Sequence, residues 1–71
     1  MPKPKTPRIP IGTSMNIDIA QGDCIAQGVV AEAEYDDGWL YRVDVTGGND
    51  CNQHREQSGE LWCCDFEVTP R

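Results

Sequence analysis

The four cysteines and the single histidine are the residues of this 71-residue chain best suited to chemistry. Cys51-Asn52-Gln53-His54 has a spacing used by zinc ligands, because two donors three residues apart can reach one ion. A complete site would need further donors, and the candidates are Cys24 and one member of the pair Cys63 and Cys64. Zinc sites usually contain two closely spaced pairs of ligands. No second pair is evident, so we predict no metal site and no cofactor.

The adjacent residues Cys63 and Cys64 are more typical of packing than of chemistry. Successive side chains of a strand point to opposite faces of the sheet. One tetrahedral metal therefore does not readily bind both thiols, and a disulfide between them would close a strained ring. We predict that Cys63 is a small core residue beside Leu61 and that Cys64 is a surface thiol beside Trp62.

Acid–base chemistry has two sets of candidates. His54 titrates near neutral pH, but it lies in a polar segment with no nucleophile fixed near it. The carboxylates of Glu32, Glu34, Asp36 and Asp37 could pair for proton transfer. They follow the outer face of a predicted strand into a turn, where charge usually serves solubility. We predict that the protein is not an enzyme and that it has no catalytic residues.

Apolar residues at every second position predict a β fold. The expected inward-facing residues are Ile17, Ile19, Ile25, Val29, Ala31, Ala33, Trp39, Tyr41, Val43, Val45, Leu61, Cys63, Phe66 and Val68. Five short antiparallel strands with one long connection over 46–58 indicate a small closed barrel over 13–71, because closure removes exposed edges.

The hairpin over 35–39 allows two connections. If Tyr35 and Trp39 both face the core, they lie opposite each other, and Asp36, Asp37 and Gly38 form a three-residue loop with Gly38 in the left-handed conformation. A two-residue loop would instead pair Asp36 with Trp39 and send the indole outward. We favour the three-residue loop.

Charge divides the chain into two regions. Residues 1–12 contain four of the five prolines and the cations Lys3, Lys5 and Arg8. The remainder has twelve acidic residues and three arginines, so the net charges are +3 and 3 − 12 = −9, which sum to −6. We predict a flexible arm over 1–12. Two alternatives are a docking arm that uses Pro4-x-x-Pro7 and Pro7-x-x-Pro10 and an arm that lies on the acidic body of its own or a neighbouring copy.

Charge and hydropathy also restrict the partners. Nucleic-acid binding needs clustered Lys and Arg, which the acidic body lacks. No segment has the length and apolarity of a membrane span, and the N-terminus has no apolar run typical of a secretory signal. We therefore expect no nucleic-acid or membrane partner, and a reducing, cytoplasmic location with free thiols.

The segments QGDCI, DDGWLYRVDV and GELWCCDFEVTP resemble an SH3-like barrel in order and spacing. The resemblance covers about residues 17–70 and implies that Phe66 stands where the family has a tyrosine. The family's aromatic first strand is missing, Cys63 takes the place of the groove proline, and Leu40 that of the groove tryptophan. The resemblance thus implies the architecture rather than binding of proline-rich peptides.

A weaker resemblance is to type II dihydrofolate reductase, which is plasmid-borne and assembles as a tetramer around a pore. The pore motif of that enzyme, Val-Gln-Ile-Tyr, would fall near residues 60–63, where this chain has Glu-Leu-Trp-Cys. The substrate-facing glutamine and tyrosine are absent. The resemblance therefore implies a possible assembly rather than the activity.

Trp62 is the strongest candidate for a contact residue, because strand parity sends it out of the core. Leu40 is expected on the same face across the sheet. We predict a noncatalytic binding domain whose interface contains Leu40, Trp62 and Cys64, and whose partner is another protein or a second copy. Trp62 covered by the arm or the long loop is the alternative. An enzyme or ligand-binding protein with its site at an oligomer interface is the second functional hypothesis.

Overall fold

The computed structural model describes residues 6–71, which form one sheet of five antiparallel strands. The strands are β1 (Ser14–Ile19), β2 (Cys24–Tyr35), β3 (Trp39–Gly48), β4 (Leu61–Cys64) and β5 (Val68–Pro70). Two single 3-10 turns, η1 (Asn52–His54) and η2 (Asp65–Glu67), complete the secondary structure of this part of the chain. The prediction of an all-β fold with five antiparallel strands is confirmed. Residues 6–71 contain no helix long and apolar enough to cross a membrane.

The strand order is β4-β3-β2-β1-β5, so β4 and β5 are the two edges of the sheet. These edges are not hydrogen-bonded to each other, and the expectation of a closed barrel is therefore wrong. The physical reason lies in their length and connection. β4 has four residues and β5 has three, and η2 alone takes the chain from one edge to the other. The strands are too short to overlap beyond that turn.

A β-bulge in β2 changes which side chains face the core. Val30 pairs with Val43 and Glu32 pairs with Arg42, so Ala31 is an extra residue between them. Before the bulge the even-numbered positions are buried, and after it the odd-numbered positions face inward. The prediction that residue 29 faces the core is wrong for this reason, because an extra residue shifts the alternation by one position.

The core is formed by thirteen buried residues from all five strands, the N-terminal segment and the connection between β3 and β4. They are Ile9, Met15, Ile17, Ile19, Cys24, Ala26, Val30, Tyr41, Val43, Cys51, Leu61, Cys63 and Val68. Two predicted core residues are exposed instead, Ile25 to 50% and Phe66 to 86%. Ile25 lies between two inward-facing positions of β2, and Phe66 lies in η2, where the strand alternation has ended.

The hairpin between β2 and β3 has the predicted three-residue loop. Tyr35 pairs with Trp39, and their rings lie edge to face with centroids 5.4 Å apart. Asp37 adopts a φ of 54°, and Gly38 adopts a φ of 141°. Gly38 has the predicted positive φ, while Asp37 is the residue in the left-handed helical region. A side chain at position 38 would be strained at that φ.

Residues 6–12 of the predicted flexible arm are packed against the sheet. Ile9 is completely buried, and the Gly12 amide donates a hydrogen bond of 2.8 Å to the Val30 carbonyl. Arg8 contacts η2 through Asp65. This part of the arm therefore lies on its own acidic body, which was one of the alternatives. Pro4, Lys3 and Lys5 lie outside the described residues.

Candidate functional site

The three predicted interface residues lie together on the outer face of β3 and β4. Leu40 is the cross-strand partner of Cys64, and Arg42 is the partner of Trp62. Because residues two apart share a face of a strand, Leu40, Cys64 and Trp62 occupy neighbouring positions. All three side chains are half-buried. We call this set the β3–β4 patch.

An ion-pair network borders the β3–β4 patch on the side of Trp62. The Arg42 guanidinium lies 3.3 Å from a Glu32 carboxylate oxygen, 3.6 Å from Glu60 and 3.9 Å from Asp44. Arg42 therefore neutralises part of the acidic charge beside Trp62. Exposed pairs of this kind contribute at most about 1 kcal/mol each, so the network shapes the local charge more than it stabilises the fold.

The two thiols of β4 are poor nucleophiles. Burial, with the nearby Glu67 charge, raises the pKa of the Cys63 thiol to about 12. The same two causes raise the pKa of Cys64, whose side chain also hydrogen-bonds with Glu67. The Cys64 amide donates to the Glu67 carboxylate at 2.8 Å, which completes a capping box at the start of η2. Since the thiolate is the reactive form, both shifts disfavour the reactive state of these cysteines.

A mainly apolar depression with a volume of about 220 Å³ adjoins the β3–β4 patch. It lies between the tip of the β2–β3 hairpin and η2, and it is lined by Asp36, Asp37, Gly38, Trp39, Leu40, Cys64, Asp65 and Phe66. We call it the hairpin groove. It shares Leu40 and Cys64 with the β3–β4 patch, so the two form one continuous surface.

Phe66 is the site residue that sequence reasoning missed, because it was assigned to the core. It is exposed to 86% and lines both the hairpin groove and a larger depression bounded by Asp18 and Glu67. The available signal in the sequence is the segment Cys64-Asp65-Phe66-Glu67-Val68, which is typical of a tight helical turn leading into a short strand. A single turn flanked by two strands cannot bury all its side chains on the same core.

Three carboxylates line the hairpin groove, and they differ in whether another side chain forms an ion pair or hydrogen bond with them. Asp65 accepts hydrogen bonds from Arg8 Nε at 2.8 and 2.9 Å and from the Tyr41 hydroxyl at 2.7 Å. Burial, followed by the hydrogen bond to Asp65, raises the pKa of Tyr41. Asp36 and Asp37 have no ion-pair partner among residues 6–71. The hairpin end of the groove is thus open to a cation.

A second cluster of chemically capable residues lies at the start of β2. Cys24 and Cys51 form a disulfide bond, so the expectation of free thiols is wrong for these two residues. His54 Nε2 lies 2.7 Å from a carboxylate oxygen of Asp23. The long connection predicted over 46–58 begins only after Gly48, because β3 continues to that residue. It is attached to β2 through these contacts, and the side chain of His54 is half-buried and paired with Asp23.

The structure separates the residues that the zinc hypothesis combined. Cys24, Cys51 and His54 line one cavity with Asp23, whereas Cys63 and Cys64 belong to β4. In this disulfide-bonded state, residues 6–71 contain no group of three or more His, Cys, Asp and Glu side chains arranged to hold a metal.

The carboxylates considered for acid–base chemistry are divided between two places, since Asp36 and Asp37 line the hairpin groove and Glu32 belongs to the ion-pair network of Arg42. Glu32 contacts Arg42, and Glu34, Asp36 and Asp37 are exposed along the strand and its turn. Comparison of the chain with protein-family models, with curated proteins and with solved structures finds no match.

Proposed function

We propose that this protein is a noncatalytic binding domain that takes an extended segment of a partner protein across the hairpin groove and the β3–β4 patch. The observation that carries the proposal is the exposed Phe66 at the edge of a mainly apolar groove. Exposed aromatic side chains beside an apolar surface are typical of protein contacts, because they bury a large area when a partner binds.

The apolar part of the proposed site selects an apolar side chain of the partner. Leu40, Cys64 and Phe66 all line the groove, and Phe66 is the most exposed of the three. Trp62 extends the same surface along β4. Burial of one leucine-sized side chain contributes roughly 1.5–3 kcal/mol, and several such contacts are needed for micromolar affinity, which corresponds to about 8 kcal/mol.

The charge of the groove selects a cationic neighbour for that apolar side chain. Asp36 and Asp37 lie at the open end, and the region from Ile11 onward has a net charge of 3 − 12 = −9. Charge complementarity speeds association and excludes acidic partners. The partner segment is therefore expected to carry Lys or Arg close to an apolar residue.

The test is selection of peptides from a random twelve-residue display library on the wild-type protein, followed by affinity measurement by fluorescence polarisation. We expect the selected peptides to combine an apolar residue with Lys or Arg. Phe66→Ser should weaken their binding at least about tenfold, because tenfold corresponds to 1.4 kcal/mol. The matched control is Ile11→Ser, since Ile11 is also exposed, to 63%, and does not line the groove.

Two outcomes contradict the proposal. Peptides that bind Phe66→Ser and Ile11→Ser equally well would place the contact elsewhere. A second copy occupying the surface would appear in sedimentation equilibrium as a wild-type dimer or larger oligomer that Trp62→Ala shifts to monomer without loss of the circular-dichroism spectrum. That result would show that a second copy of the chain, and not a segment of another protein, occupies this surface.

A further inference from the structure

The disulfide corner at the start of β2 contains four side chains of the types that bind zinc. Asp23 and Cys24 are consecutive residues, and Cys51 and His54 are joined by the turn η1, in which the His54 amide donates to the Cys51 carbonyl at 2.9 Å. All four line one cavity of about 240 Å³. The sequence showed only the second pair, and the fold supplies Asp23 and Cys24 as the first.

In this structure the four side chains form two pairs, one a disulfide and the other a His–Asp contact. Cys24 and Cys51 are bonded to each other, with Cα atoms 5.6 Å apart, and His54 Nε2 lies 2.7 Å from Asp23 Oδ2. In the disulfide the sulfurs cannot act as thiolate ligands, and in this state residues 6–71 contain no group of three or more side chains arranged to hold a metal.

We propose that reduction of the Cys24–Cys51 disulfide converts this corner into a tetrahedral Zn²⁺ site whose ligands are Cys24, Cys51, His54 and Asp23. A dithiol reductant supplies two electrons and two protons, the S–S bond breaks to give two thiols, and the reductant becomes a cyclic disulfide. Zn²⁺ then displaces the two thiol protons and accepts the two thiolates, the imidazole nitrogen and one carboxylate oxygen.

The conversion must separate the two sulfurs, which are bonded to each other in the disulfide, and lengthen the Asp23–His54 contact. Zinc lies about 2.3 Å from each thiolate and about 2.0–2.1 Å from nitrogen or oxygen, so tetrahedral ligands are separated by about 3.3–3.8 Å. The Asp23–His54 contact needs to lengthen by about half an ångström to reach that separation. The ion would also reduce the charge of an acidic neighbourhood, because Asp50 lines the same cavity.

The experiment compares zinc binding by the oxidised and the reduced full-length protein. Reduction with a phosphine leaves no competing thiol in solution. Native mass spectrometry should show one Zn²⁺ per reduced chain and none per oxidised chain. The Co²⁺ form should absorb through thiolate-to-cobalt charge transfer, and competition with a chromophoric chelator gives the dissociation constant.

Variants test the ligand set without preventing folding. His54→Ala and Asp23→Asn lie at the surface end of the cavity and should each raise the Zn²⁺ dissociation constant at least about tenfold, while both still form the disulfide on oxidation. Cys64→Ser removes a free thiol outside the cavity and should change nothing. The proposal is overturned if the reduced chain, with four titratable thiols, binds no stoichiometric zinc. It is also overturned if zinc binding survives His54→Ala and Asp23→Asn but is lost in Cys64→Ser.

Discussion

Cys63 shows how a reactive residue type becomes a packing residue when its surroundings exclude water. The thiol is fully buried, and burial with the Glu67 charge raises its pKa to about 12, against an ordinary value of 9.0. Between these values the unfolded chain releases the proton while the folded protein keeps it. The free energy of unfolding must therefore fall as pH rises from about 9 towards 12.

This linkage predicts an alkaline loss of stability that depends on Cys63. Urea unfolding followed by tryptophan fluorescence from pH 8 to pH 10.5 should give a free energy that decreases by up to about 1.4 kcal/mol per pH unit for this group. Cys63→Ala should start from a lower value, because it leaves a cavity, and should have a shallower slope above pH 9. Equal slopes in the two proteins would contradict the prediction.

At the residue scale, strand alternation predicted which face of the sheet the β3 and β4 side chains occupy. It did not predict which residues distant in sequence contact each other. It placed Cys63 inside and Cys64, Leu40 and Trp62 outside, because facing direction depends only on neighbours in sequence. The disulfide joins residues 27 apart in sequence, and the His54–Asp23 contact spans 31. Such contacts depend on how the long connection returns to β2, which no local pattern specifies.

At the element scale, the pairing of β2 with β3 depends on close approach of the two backbones at Gly28. A Cβ atom at this position would lie 2.6 Å from both the Asp44 carbonyl oxygen and Val43 Cγ1. Gly28→Ala should therefore lower the free energy of unfolding by about 1–3 kcal/mol, because neither the backbone nor the buried valine can move away cheaply. Chemical denaturation at pH 7 measures this change.

Gly47 provides the matched control for this substitution. It lies on β3 opposite Gln27, and an added Cβ would meet only the flexible end of the Gln27 side chain, at 3.0 Å. Gly47→Ala should change the stability by less than Gly28→Ala. If the two variants unfold at the same urea concentration, the close approach at residue 28 does not limit the pairing.

The sequence was sufficient to predict the strands and the hairpin, but it did not predict the β-bulge in β2 or the open side of the sheet. The antiparallel strands and the three-residue hairpin follow from alternation and turn chemistry. The bulge at Ala31 has no such signal, because alanine is compatible with either face and the two residues before it, Val29 and Val30, are apolar on both parities. The open side of the sheet was equally hidden, since it depends on the lengths of β4 and β5 rather than on their composition.

At the scale of the whole molecule, the N-terminal segment connects elements that the sheet leaves apart. Arg8 donates to the carbonyls of Asp65 and Val68 at 3.0 and 3.2 Å, so it contacts η2 and the beginning of β5. The Ile9 amide donates to the Tyr41 hydroxyl on β3 at 3.3 Å. One short segment thus contacts η2, the edge strand β5 and the interior strand β3. A small domain buries only about 60% of its surface, so these contacts are a substantial part of its stability.

The last prediction concerns Ile9, which this segment inserts into the core. Ile9→Ala removes a completely buried side chain and should lower the free energy of unfolding by about 2–5 kcal/mol. The matched control is Ile11→Ala, because Ile11 belongs to the same segment and is 63% exposed, so its truncation should be nearly neutral. Thermal and urea unfolding of the full chain measure both. A proline-rich arm that merely rests on the surface would give two equally small changes, and that result would contradict the role of residues 6–12 as part of the folded domain.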